Sequence, residues 1–264
     1  MNRILTTLAL LALGAWLPAQ AGGDAAATAK AAYDALVAEW TAEQAAARAA
    51  MKQVTDSAEY KAARDAKDND KARALMAQAR RADAKAIGQR ALALADQHGA
   101  HGGRFAAYAA TTLVGDKEIA AAAAERLERS YLTDPAMLTV LESPMGLFTA
   151  LGAEPAQALL GKVEAANGDG IATAWAKYWR AVLLQRGKPT DEQKAVAEGL
   201  LAAAEKLAAG TDLADRIAAP RFQKERLQVG MAIPDIRGED MDGVPFALSD
   251  YLGKVVVLDF WGFW

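Results

Sequence analysis

His98 and His101 stand in an H-x-x-H spacing, the first pattern in this chain with the makings of a metal site. Zinc takes three or four protein ligands, and no third histidine, no cysteine and no acidic residue at ligand spacing joins the pair. Gly99, Gly102 and Gly103 mark a helix end around them, so both imidazoles are expected to cap carbonyls at a helix C-terminus, with no metal bound. Trp175, Tyr178 and Trp179 fall at helical spacing and are expected to face a core rather than a cofactor. No cofactor is expected elsewhere either. Glu125, Arg126, Glu128 and Arg129 alternate in sign, the pattern of a solvated face. The remaining chemistry-bearing group is Asp259, a single carboxylate within the apolar run Val255 to Phe260, with Trp261 and Trp264 just after it.

The elements that would position these residues are mostly helical. From Asp24 to about Gln228 alanine dominates, with Leu, Glu, Lys, Arg and Gln between, all good helix formers. A first helix is expected over Ala25 to Met51, where Tyr33, Leu36, Val37, Trp40 and Ala47 form one apolar stripe. A second runs from about Ser57 to Lys67. Asp68-Asn69-Asp70 then offers a break and an N-cap for a long third helix ending near His98. Further on, Gly102-Gly103, Gly115-Asp116, Asp134-Pro135, Ser143-Pro144, Asn167 to Gly170, Gly187 to Thr190 and Gly210 to Asp212 separate segments of helical-hairpin length. The hairpin from Ala174 through Gly187 to Ala208 is tetratricopeptide-like, but no strict 34-residue period runs through the chain. The expected fold class is mainly α: an alanine-rich helical bundle with repeat-like hairpins.

Composition sets the context. The chain of 264 residues is 53% apolar and 24% charged, which suits a packed globular protein. Its net charge of -3 gives no general attraction to nucleic acid or an anionic membrane. At the N-terminus Arg3, the apolar stretch Ile4 to Leu17 and Ala19-Gln20-Ala21 have the three parts of an export signal. The stretch is shorter than the roughly 20 residues of a membrane span. Cleavage after Ala21 and a periplasmic or otherwise extracytoplasmic location are expected, with no membrane span left. With no cysteine, such a chain has no disulfide to stabilise it and depends on helix packing.

At Leu227 the pattern changes. Pro234 forces Ile233 out of the helical region, Asp242-Gly243 makes a hairpin turn, and Pro245 to Leu248 returns as a short strand. Ser249 to Gly253 reads as one helical turn, and Val255 to Phe260 as a strand buried on both faces of a sheet. Gly230, Pro234, Asp240, Gly243, Leu248-Ser249-Asp250-Tyr251, Gly253-Lys254 and Val255 to Trp261 occur in one order that resembles the redoxin families, the TlpA-like thiol-disulfide oxidoreductases and AhpC/TSA peroxidases. The ending D-F-W-G-F-W leans to the TlpA and thioredoxin branch.

The resemblance covers about Leu227 to Trp264 and implies the first β-strands of an incomplete thioredoxin-like α/β domain. It implies that the reacting pair, a cysteine or selenocysteine with a resolving cysteine three residues on, follows immediately after Trp264. No catalytic residue is expected within the chain itself. By the same likeness Asp259 corresponds to the buried acid that helps deprotonate the second thiol, and Trp261 and Trp264 flank the site. A selenol ionises more readily than a thiol, so a UGA selenocysteine codon read as stop is the expected reason for the ending, with a frameshift, an assembly break or true degeneration as rivals.

Three parts are therefore expected: a signal peptide over 1–21, a helical domain over 22–228, and a redoxin fragment over 229–264. The fragment, about 36 residues long, falls below the ~40 that usually sustain an independent core, so the chain as written is expected to be inactive. The full-length form is expected to be an exported thiol-disulfide or selenol oxidoreductase, or a peroxidase, acting on protein thiols, disulfides or peroxides. The alternative is a non-enzymatic extracytoplasmic helical interaction module with a degenerate tail and a protein partner.

Overall fold

The structure, a computed structural model, describes residues 23–113 and 116–259. The expected leader over 1–21 and the indoles of Trp261 and Trp264 lie outside the described residues. Within them the chain is mainly α, with one two-stranded antiparallel sheet near the C-terminus.

Helix α1 spans Gly23–Asp56, longer at both ends than its apolar stripe requires. Ala29, Leu36 and Trp40 are buried along one face, with Tyr33, Val37 and Ala47 half-buried beside them. Ser57 accepts a bond from the Tyr60 backbone N–H at 3.2 Å and starts α2, Ala58–Asp65. Lys67, at φ 56°, turns the chain out of helix. Asp68 then caps α3, Asn69–Ala77, by accepting from the Lys71 N–H at 3.0 Å.

The expected single helix from Asp68 to His98 is instead two. α3 ends at Ala77, and α4, Ala84–His98, starts afresh under Asp83, whose carboxylate accepts from the Ala86 N–H at 2.9 Å. The physical reason is that aspartate competes for backbone donors and so favours caps over helix interiors. Arg80, in the gap, pairs with Glu43 of α1 at 2.6 Å.

Next come α5 (Gly103–Thr112), α6 (Lys117–Ser130), α7 (Ala136–Glu142), α8 (Met145–Leu151) and α9 (Ala153–Asn167). Asp116 opens α6 by accepting from the N–H groups of Glu118 and Ile119. α5 is the centre of this region and packs against α4, α6, α7 and α8. Phe105, Ala106, Ala109 and Ala110 on it are wholly buried. Alanine faces let helices approach closely. Where α4 meets α6 the space is closer still: a Cβ on Gly88 would stand 2.8 Å from the Ile119 side chain.

The chain divides into two compact units, one up to Ala176 and one from Lys177, the boundary falling inside α10, Ile171–Leu184. In the second unit α11 (Asp191–Leu207) opens with a capping box between Thr190 and Gln193. It pairs with α12 (Asp212–Arg226), where Arg221 meets Glu205 at 2.7 Å. Trp175 and Trp179 of α10 are buried, as the sequence leads one to expect, and the half-buried Tyr178 meets the Trp179 ring edge-on.

One neighbour on α10 is an exception to polar pairing. Thr173 is 3% exposed and its hydroxyl has no hydrogen-bond partner among the described residues. Thr173→Val removes that buried hydroxyl at nearly constant shape, and a gain of about 1 kcal/mol in unfolding free energy is expected from chemical denaturation. A loss of stability would show that the hydroxyl is bonded.

Candidate functional site

The C-terminal segment owes its shape to short-range bonds made by the residues of its motif. β1, Arg237–Glu239, pairs antiparallel with β2, Pro245–Ala247, in the register Arg237↔Ala247, Gly238↔Phe246 and Glu239↔Pro245. The turn between them is held by Asp240, whose Oδ1 accepts from the N–H groups of Asp242 and Val244, both at 2.9 Å. Gly243, at φ 76°, supplies the left-handed residue that this turn requires. Asp235 accepts from the Ser249 N–H at 2.9 Å and from Arg237 at 3.1 Å. The Ser249 backbone bond is the main cause that holds the Asp235 carboxyl below its usual range. Asp250 accepts from the Ala247 N–H at 2.8 Å, closing the 3-10 turn Leu248–Tyr251.

Beyond that turn the expectation of a doubly buried strand is corrected. Residues 255–259 form no strand, and Val255 and Val257 are 97% and 88% exposed. The cause is the want of a neighbour: the sheet of the described residues has two strands, and neither pairs with this run. Asp259 is exposed. Among the described residues it is brought together with no other chemical group, and Trp261 and Trp264 lie outside them.

The histidines of the helical part also need correcting. His98 ends α4 and His101 lies in the 3-10 turn Gly99–His101 that follows, so the helix end is where the glycines put it. The carbonyls there, however, are bonded by Tyr131, whose hydroxyl lies 3.1 Å from the Ala95 oxygen and 2.7 Å from the Gly99 oxygen. His98 instead stacks on Phe105, with centroids 5.3 Å apart and planes 10° from parallel. Burial pushes the Tyr131 phenol up from its ordinary value, with Asp96 and Asp134 adding to it. Among the described residues no group of three or more metal-ligating side chains occurs.

The alternating charges of α6 are more than a solvated face. Arg126 reaches across to α4 and donates to both oxygens of Asp96, at 2.9 and 2.7 Å. Glu128 pairs with Lys162 of α9. Helix periodicity places Arg126 toward α4, which a reading of sign alternation along the chain misses. Its bond from Arg126 is the largest cause holding Asp96 below its ordinary value of 3.8. A depressed carboxylate contributes stability above its unfolded pKa and loses it as pH falls through the folded one. The Arg126 pair is therefore complete above about pH 5 and fades below about pH 4. In Asp96→Asn, unfolding midpoints measured from pH 6 to 3 are expected to fall less steeply than in the parent. The difference is a few tenths of a kcal/mol at most, because Asp96 is half exposed.

A concavity of the first unit opens beside these residues. A groove of about 620 Å³ lies between α1, α5 and the start of α7, lined by Tyr33, His101, Arg104, Tyr108, Asp134 and Thr139 among others. Tyr33 meets Phe105 and Tyr108 edge-on, each with centroids 5.7 Å apart, and the Arg104 guanidinium lies over its ring at 5.5 Å. In the sequence Tyr33 falls on an apolar stripe, and no pattern singles out Arg104 or Tyr108. The only local signal was the Gly102-Gly103 doublet just before them.

Compared with known proteins, the chain matches no family model, and no curated protein or solved structure is significantly similar to it.

Proposed function

We propose that this chain is the leading part of an exported oxidoreductase of the redoxin class, one that exchanges disulfides with protein thiols or reduces peroxides. The reactive thiol or selenol and its resolving cysteine are carried by residues encoded after Trp264, and the helical part selects or positions the partner. The observation that supports this reading best is local. Asp235, Asp240, Gly243, Ser249 and Asp250, most of them motif positions, each have a defined backbone role in the segment leading to Val255. In the same reading Asp259 serves as the proton acceptor for the resolving thiol, and Trp261 and Trp264 flank the site.

Sequencing the gene across the codon after Trp264 and on for a few hundred bases tests it. The expected result is UGA followed in frame by Gly-Pro-Cys-like codons, a long open frame and a downstream stem-loop. UAA or UAG with no redoxin frame downstream refutes it.

A second reading is favoured by a different observation. Every buried apolar side chain among the described residues lies between Ala29 and Leu213, so the core is complete without the C-terminal segment. On that reading the protein is a non-enzymatic extracytoplasmic helical interaction module. Among the described residues no helix is long and apolar enough to cross a membrane. A purified chain that stays soluble and monomeric favours the module, and rapid aggregation through the exposed apolar run favours the oxidoreductase.

A further inference from the structure

The groove beside α5 contains polar groups that the fold itself does not use. Among the described residues Arg104 has no ion-pair partner, although many of the other cations do. It lies over the Tyr33 ring, an arrangement that desolvates one face of the guanidinium and leaves its planar N–H edge open. Among the described residues the hydroxyls of Tyr33 and Tyr108 and the His101 ring have no hydrogen-bond partner. Burial pushes both phenols up from their ordinary values, so they stand as neutral O–H donors at any physiological pH.

The acid in the groove is already engaged. Asp134 accepts from the Ala136 N–H at 2.8 Å. It also lies against the first residue of α5, since a Cβ on Gly103 would stand 2.7–2.8 Å from its carboxylate atoms. The positive end of that helix offsets its charge. The groups that remain without a partner can all donate, and the volume of about 620 Å³ is in the range of ligand clefts.

We infer that this groove binds a carboxylate-bearing peptide, the carboxylate taking two N–H bonds from Arg104 and further bonds from the Tyr33 and Tyr108 hydroxyls. A planar guanidinium fork matches a carboxylate in a way a lysine does not. The inference concerns the helical unit alone and stands whether or not redox chemistry follows Trp264.

The test is isothermal titration of the full chain with three probes at physiological salt: hexaglutamate with a free C-terminus, hexaglutamate amide, and hexaglutamine with a free C-terminus. Saturable binding of hexaglutamate with Kd below about 1 mM is expected. Equal binding of the hexaglutamate amide assigns the carboxylate to a side chain. Binding by hexaglutamine with its free end assigns it to the terminus. Arg104→Gln is expected to weaken binding about tenfold or more, and Arg104→Lys to recover only part of it. Tyr108→Phe, which keeps the ring and so the packing, is expected to weaken it a few-fold. Failure of all three probes to bind the parent chain, or undiminished binding by Arg104→Gln, overturns the inference.

Discussion

Phe105→Ala is expected to destabilise the first unit by about 3–5 kcal/mol, the range for truncating a large aromatic in a packed core. Phe105 is 0% exposed and lies on the helix that α4, α6, α7 and α8 all contact. Its ring stacks on His98 and meets Tyr33 edge-on, so its removal opens a cavity and releases two aromatic neighbours at once. The other buried side chains on α5 are alanines and cannot extend to fill the space. Urea unfolding followed by circular dichroism measures the loss. A drop under about 1 kcal/mol would mean that the helices collapse onto the vacancy, and the account of α5 as a tightly fixed centre would fail.

The second large effect belongs to a smaller residue. Gly102→Ala is expected to cost about 3 kcal/mol, at the upper end of overpacking. The added Cβ would stand 2.1 Å from the Ala95 carbonyl oxygen and 2.3 Å from the Tyr131 hydroxyl. The first obstacle is backbone and does not yield as a flexible side chain would. The second is the group that satisfies the end of α4. The backbone of Gly102 is at φ -81°, so the requirement for glycine is space and not dihedral freedom. Gly199→Ala provides the contrast, because Gly199 lies within α11 with nothing within 4 Å of its Cβ position. There a gain of about 0.5–1 kcal/mol is expected from helix propensity alone. Opposite signs in the same denaturation assay separate the two roles, and equal signs would refute the close approach at Gly102.

Local signals carried much of the fold. The apolar stripe of α1, the caps at Ser57 and Asp68, and the Gly and Pro punctuation from Gly102 to Gly210 all depend on neighbours a few residues away, and helices are decided at that range. The break before Asp83 was missed because an aspartate between alanines and arginines is compatible with both a helix interior and a cap, and the packing around α4 decides. The groove was illegible for a different reason. Tyr33, Arg104 and Asp134 come from three separate helices or helix ends, and their meeting is a product of packing angle. Tyr131 and Ala95 are likewise 36 positions apart, so no local pattern assigns the tyrosine to the carbonyls that the histidines appeared placed to cap.

The C-terminal segment was legible in the opposite sense. Its motif order could be read, and the turn at Asp240 to Val244 forms as its residues dictate. The burial of Val255 to Leu258 did not follow, because burial needs strands that the described residues do not contain.

α1 has a length that matters beyond its packing. At 34 residues and 1.5 Å per residue it is a rod of about 51 Å, and Tyr33, in the wall of the groove, is about 35 Å along it from Asp56. α2 and α3 both contact this helix, and Arg80 ties the following loop to it through Glu43. A tilt of about 5° pivoting at Tyr33 moves the Asp56 end by about 3 Å. α1 is thus a lever whose pivot lies in the groove wall, and α4 and the α2–α3 pair along its long arm are the stops that fix its angle.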